Sequence, residues 1–119
     1  MNHANKDKIM KFIPILLSLI TTNALAANIK LNCQLKHNDQ IKLASLLSLG
    51  EREKNLSVGV YEQFEFFVSS LGGHKIEIQL LDSNEPSRSY ASGILTRENS
   101  ELEIVIWKRD YLIEASCSL

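Results

Sequence analysis

Residues 29–36 read Ile-Lys-Leu-Asn-Cys-Gln-Leu-Lys, and this stretch decides the fold. Apolar and polar side chains alternate without a break, the period-two pattern of a strand with one face buried and one in water. The other end of the chain repeats it. Tyr111, Ile113, Ala115, Cys117 and Leu119 fall on one parity, with Leu112, Glu114, Ser116 and Ser118 on the other. Both cysteines thus lie on the apolar side of their strands, and the pattern predicts that a Cys33–Cys117 bridge joins the first strand to the last.

Working inward, Ile76, Ile78 and Leu80 alternate with Lys75, Glu77 and Gln79, and Leu102, Ile104 and Ile106 alternate with Glu101 and Glu103. Val58, Val60, Phe64, Phe66 and Val68 share a parity that Glu62 interrupts, so a bulge or corner is expected near residues 61–63. Tyr90 and Ile94 mark a further strand, weakened by the small Ala91, Ser92 and Gly93. Residues 41–49 fit either period. Ile41, Leu43, Leu47 and Leu49 share strand parity, while Leu43, Leu46 and Leu47 also sit at helical spacing; the Asn38-Asp39 turn before them favours a strand. Turn-forming residues at 37–39, 50–55, 72–73, 82–87, 98–100 and 108–110 divide the segments. Short strands at this spacing predict an all-β fold, a small antiparallel barrel or sandwich of about seven to eight strands.

The segment before residue 27 reads differently. Lys6, Lys8 and Lys11 precede a short apolar run from Phe12 to Ile20, and Ala24-Leu25-Ala26 offers a small-x-small cleavage site. That is the layout of a secretory signal. The run is too short for a membrane span, which needs about 20 apolar residues. The expected organisation is a cleaved signal over 1–26 and one β domain over 27–119, with a periplasmic or secreted destination and no membrane span after cleavage. Two cysteines in an exported chain fit a structural disulfide. Three of the 13 basic and one of the 14 acidic residues lie before Ala27, which leaves the remainder at −3. A weakly acidic domain of this kind is not expected to bind nucleic acid.

No catalytic constellation stands out. His37 and His74 fall in or beside turns, and neither His37 with Asp39 nor His74 with Glu77 makes a metal site at a telling spacing. The pairs Glu101/Glu103 and Glu51/Glu53 share a strand face or a turn, whereas glycosidase carboxylates face each other across a cleft. No metal, cofactor or enzymatic activity is expected. The parity opposite the core is more unusual, because Tyr61, Phe67, Leu81, Val105, Trp107 and Leu112 stand where other strands carry Lys, Glu and Gln. Packing against a second layer is one explanation. A binding patch is the other, formed by Tyr61, Phe67, Trp107 and Arg109, with Arg88 and Tyr90 presented at the polar 82–89 loop. The expected function is recognition of a protein or glycan partner, inhibitor- or immunity-like by analogy of architecture alone. A carrier of a small apolar ligand is the alternative, and an enzyme a more distant one.

Overall fold

The computed structural model describes residues 28–119; the expected signal over 1–26 lies outside them. Eight strands follow in chain order: β1 Ile29–His37, β2 Gln40–Leu49, β3 Leu56–Tyr61, β4 Phe64–Gly72, β5 Lys75–Asp82, β6 Ser87–Ile94, β7 Glu101–Trp107 and β8 Leu112–Ser118. They form two four-stranded antiparallel sheets, ordered β2-β1-β8-β7 and β3-β4-β5-β6. The arrangement is a small β-sandwich. Every hydrogen-bonded neighbour is also the neighbour in sequence except one pair, β1 with β8, so the domain is a meander whose ends meet. The sheets face each other without hydrogen-bonded pairing at two seams, β2/β3 and β6/β7.

The alternation in β1 has the expected result: Ile29, Leu31, Cys33 and Leu35 are buried between the sheets. Their counterparts on β8 are Ile113, Ala115 and Cys117, and the second sheet supplies Phe64, Phe66, Val68, Ile76, Ile78 and Leu80. Cys33 and Cys117 are direct register partners in the β1–β8 ladder. Their Cα atoms stand 4.1 Å apart and their sulfurs are bonded, so the disulfide clamps the pairing that closes the meander. Residues 41–49 belong to a strand, β2. The β1–β2 turn is built by Asn38 and Asp39 at φ 50° and 69°. These residue types tolerate the left-handed region, and a two-residue hairpin turn needs it. Asn38 also ties the turn to the neighbouring strand: its N–H donates to the Leu112 carbonyl (2.9 Å) and its Oδ1 accepts from the Leu112 N–H (2.8 Å).

Two features depart from the sequence reading. The expected corner near residues 61–63 is a full reversal, in which Tyr61 pairs with Phe64 across a two-residue turn and Glu62 takes φ 51°. In addition, the β3–β4 register shifts between Ser57 and Gly59. One extra residue inverts the alternation beyond it. Val60, expected in the core, is therefore exposed, while Tyr61, expected on the outer face, packs against the core. A second shift, between Leu35 and Lys36, acts likewise on β2 and leaves Ile41 exposed although Leu43, Leu47 and Leu49 point inward.

Candidate functional site

The six residues expected to form a binding patch separate into an interior one and five on the outside. Tyr61 is the interior one. Its hydroxyl lies 2.7 Å from His37 Nδ1, and its ring meets the imidazole edge-on at a centroid distance of 5.6 Å. Tyr111 lies on another side of His37, at 5.8 Å, and also touches Phe64. Partial burial, helped by the nearby Glu62 carboxylate, raises the Tyr61 phenol above its ordinary value. Lys42 Nζ stands 5.9 Å from the Tyr61 ring centroid. These half-buried rings gather beside the β1–β2 and β3–β4 turns, with Tyr61 and Tyr111 packed against the core.

The other five are arranged around the β6/β7 seam and the outer face of β4–β6. Across β4, β5 and β6, the register aligns Phe67, Gln79 and Tyr90 in one row and Glu65, Leu81 and Arg88 in the next. Phe67 is half-buried there, whereas Tyr90 is exposed. Gln79 organises the row: its Nε2 donates to Asn55 Oδ1 (3.3 Å) and Glu77 Oε1 (3.0 Å), and Arg88 Nη1 approaches its Oε1 at 3.5 Å. At the seam, Gly93 faces Leu102, whose Cδ2 would lie 3.2 Å from any Cβ at that position. β6 and β7 run in opposite directions. The Gly93–Leu102 contact lies toward one end of the seam and the Lys108–Glu85 contact at the other.

The seam's Trp107 end is pinned by an ion pair. Lys108 Nζ lies 2.9 Å from Glu85 Oε2, which joins the residue after β7 to the β5–β6 turn. That contact raises the Lys108 ammonium above its ordinary value, first through the hydrogen bond to Glu85 and then through its charge. The turn itself is held by Asp82, whose Oδ1 accepts from the N–H groups of Asn84 and Glu85. Trp107 stands beside this anchor with 85% of its surface exposed, and Val105 is exposed on the same parity. Arg109 follows in the exposed β7–β8 turn. Among the described residues Lys108–Glu85 is the only ion pair, so neither Arg88 nor Arg109 is paired with a carboxylate.

Elsewhere, His37 is engaged with the aromatic cluster, and the exposed His74 lies in the β4–β5 turn, where its carbonyl accepts from the Leu95 N–H. Among the described residues no group of three or more His, Cys, Asp or Glu side chains could hold a metal ion. Glu101 and Glu103 are exposed on the outer face of β7. Leu46, which the sequence sets at helical spacing with Leu43 and Leu47, is 83% exposed on β2. Its signal was available, because Leu46 has the parity opposite to Leu43, Leu47 and Leu49. The class this architecture defines is a disulfide-closed antiparallel β-sandwich. No protein-family model, curated protein or solved structure matches the chain.

Proposed function

We propose that this domain is an exported, noncatalytic binding module that engages a macromolecular partner, a protein or a glycan of the cell envelope or the extracellular space, through the β6/β7 seam. The observation that carries the reading is the exposure of Trp107 and Val105 on the outer parity of β7, and of Tyr90 and Arg88 on the outer parity of β6, the two strands that border the seam. A tryptophan 85% in water is apolar surface for a partner to cover, and Trp, Tyr and Arg are the residues that binding hot spots favour. The residues sit on strands rather than on loose loops, so little conformational freedom is lost when a partner covers them. The Cys33–Cys117 bond supports export, since such bonds persist in oxidising compartments. An inhibitor- or immunity-type role fits a rigid module of this size. The interior favours surface binding over carriage of a small ligand, because Phe64, Phe66, Leu31, Leu35, Leu49 and Ile78 occupy the space between the sheets.

The test is affinity capture by the oxidised protein from envelope and secreted fractions, with crosslinking and mass spectrometry, run in parallel with Trp107→Ala and Arg88→Ala. A saturable partner that both variants lose while keeping the wild-type melting temperature supports the proposal. Undiminished capture by Trp107→Ala would remove the seam from it. Recovery of a lipid in place of a protein or glycan would return the carrier reading to the front.

A further inference from the structure

The outer face of β4, β5 and β6 carries a polar network centred on Gln79, which the register sets between Phe67 on β4 and Tyr90 on β6. Gln79 has the parity opposite to the core residues Ile78 and Leu80, yet it is only 7% exposed. Its cover comes from the β2–β3 connection. Asn55, at φ 52°, donates its backbone N–H to Ser69 Oγ (2.8 Å), and its side chain crosses the small Ser69 to reach Gln79 on β5. The connection is tied along β4 on either side of Ser70, whose N–H donates to the Glu53 carbonyl (2.7 Å) and whose carbonyl accepts from Lys54 Nζ (3.0 Å).

The neighbours of Gln79 dictate which way its amide points. A carboxylate only accepts and a guanidinium only donates. Gln79 therefore turns Nε2 toward Glu77 Oε1 (3.0 Å) and Oε1 toward Arg88 Nη1 (3.5 Å). The second Nε2 proton goes to Asn55 Oδ1 (3.3 Å), which leaves the Asn55 Nδ2 donors for another acceptor. Each partner is thus held by one atom and keeps another unused among the described residues: Nδ2 of Asn55, Oε2 of Glu77 and the remaining N–H groups of Arg88. Beside them Tyr90 is 58% exposed, and Ser92, the register partner of Glu77, is exposed as well.

We infer that the outer face of β5 and β6 is a sugar subsite, in which a neutral pyranose stacks on Tyr90 while its hydroxyls bridge Glu77 and the donors of Asn55 and Arg88. The inference rests on the binding-module reading above and narrows its partner to a glycan. A sugar hydroxyl donates and accepts at once, so it asks for an acceptor and a donor side by side, and the C–H face of the ring asks for an aromatic surface. This face supplies both. An anionic ligand would meet Glu77 and Glu65 as well as Arg88, and an apolar one would strip water from these groups with nothing in return. Because the buried Gln79 already fixes the three polar side chains, little rotamer freedom is lost when a sugar engages them.

The test is an NMR titration of the oxidised, isotope-labelled protein with cellotetraose, maltotetraose, mannotetraose and chitotetraose, and with tetragalacturonate as the acidic control. At least one neutral probe should shift the Asn55 and Gln79 side-chain amide resonances saturably. Tyr90→Ala, at a position in water, should keep the melting temperature and weaken that binding by about tenfold or more. Glu77→Gln, which keeps the shape of the side chain, should weaken it too. No response of the two amides to any neutral probe, undiminished binding by Tyr90→Ala, or tighter binding of tetragalacturonate overturns the inference. Trp107→Ala separates it from the seam: sugar binding that survives this change supports the subsite while removing the seam. A protein partner lost in Trp107→Ala, with no response to the sugars, keeps the seam and overturns the subsite.

Discussion

Replacing both Cys33 and Cys117 by alanine should destabilise the domain by about 4.5 kcal/mol, and the figure follows from where the bond sits. It closes a loop of 84 residues, nearly the whole folded chain. In the chain-entropy description a loop of that length restricts the unfolded ensemble by about 4.5 kcal/mol at 25 °C. Small domains hold only about 5–15 kcal/mol in total. For a domain this size the loss corresponds to a fall in melting temperature of roughly 20–35 °C. Urea unfolding followed by far-UV circular dichroism is the appropriate assay, because Trp107, the single tryptophan, is already in water when the domain is folded and reports little by fluorescence. The denaturant dependence carries a second signature. An uncrosslinked unfolded chain expands further, so the variant should show a steeper slope as well as an earlier midpoint. Reduced wild type should behave like the variant. A loss below about 1.5 kcal/mol with an unchanged slope would refute the reasoning, since the bond would then not be what limits the unfolded chain.

Further expectations concern packing, the bulge and pH. Phe66→Ala, at a fully buried position, should cost about 3–5 kcal/mol in chemical denaturation, whereas Trp107→Ala should stay within about 0.5 kcal/mol. Gly59→Ala places a Cβ 3.1 Å from Leu43 Cδ2 at φ 155° and should lower the melting temperature, with part of the loss recovered by Leu43→Val. Tyr61→Phe removes the hydroxyl facing His37 and should lower the melting temperature slightly, with a matching change in the His37 imidazole resonances by NMR. The folded Tyr61 phenol and Lys108 ammonium both lie above their ordinary values, so the stability each contributes is intact below its unfolded value and is lost as pH climbs through the folded one. Thermal melts should therefore fall on the alkaline side of about pH 10, and less steeply in Tyr61→Phe.

Much of this fold is written locally, because a strand with one face in water must alternate, and β1, β5, β7 and β8 do so. Asn38-Asp39 announces its turn by residue type. The Glu62-Gln63 reversal does not, since neither residue is a customary hairpin former and the positive φ at Glu62 is imposed by the strands on either side. The bulges at Gly59 and Lys36 are the other blind spot. A bulge adds one residue without a distinctive composition, yet it transfers every side chain beyond it to the opposite face, which is why Tyr61 and Val60 exchanged places. The candidate site was legible as a set of unexpected apolar residues, and its grouping was not. Arg88 and Tyr90 on β6 and Trp107 on β7 border one seam through sheet topology, which no local pattern carries.

The closure of the meander by its first and last strands has a consequence for biosynthesis. Hairpins β1–β2 and β4–β5 pair segments adjacent in sequence and can zip up early, but β1 has no partner on its other side until β8 exists. A chain made from its N-terminus therefore carries Cys33 as an unmatched thiol through almost its entire synthesis. Any product cut short before Cys117 lacks the crosslink altogether. The covalent lock thus works as a certificate of completion: only a chain finished through its last strand gains it, and prematurely ended copies are left open to proteolysis.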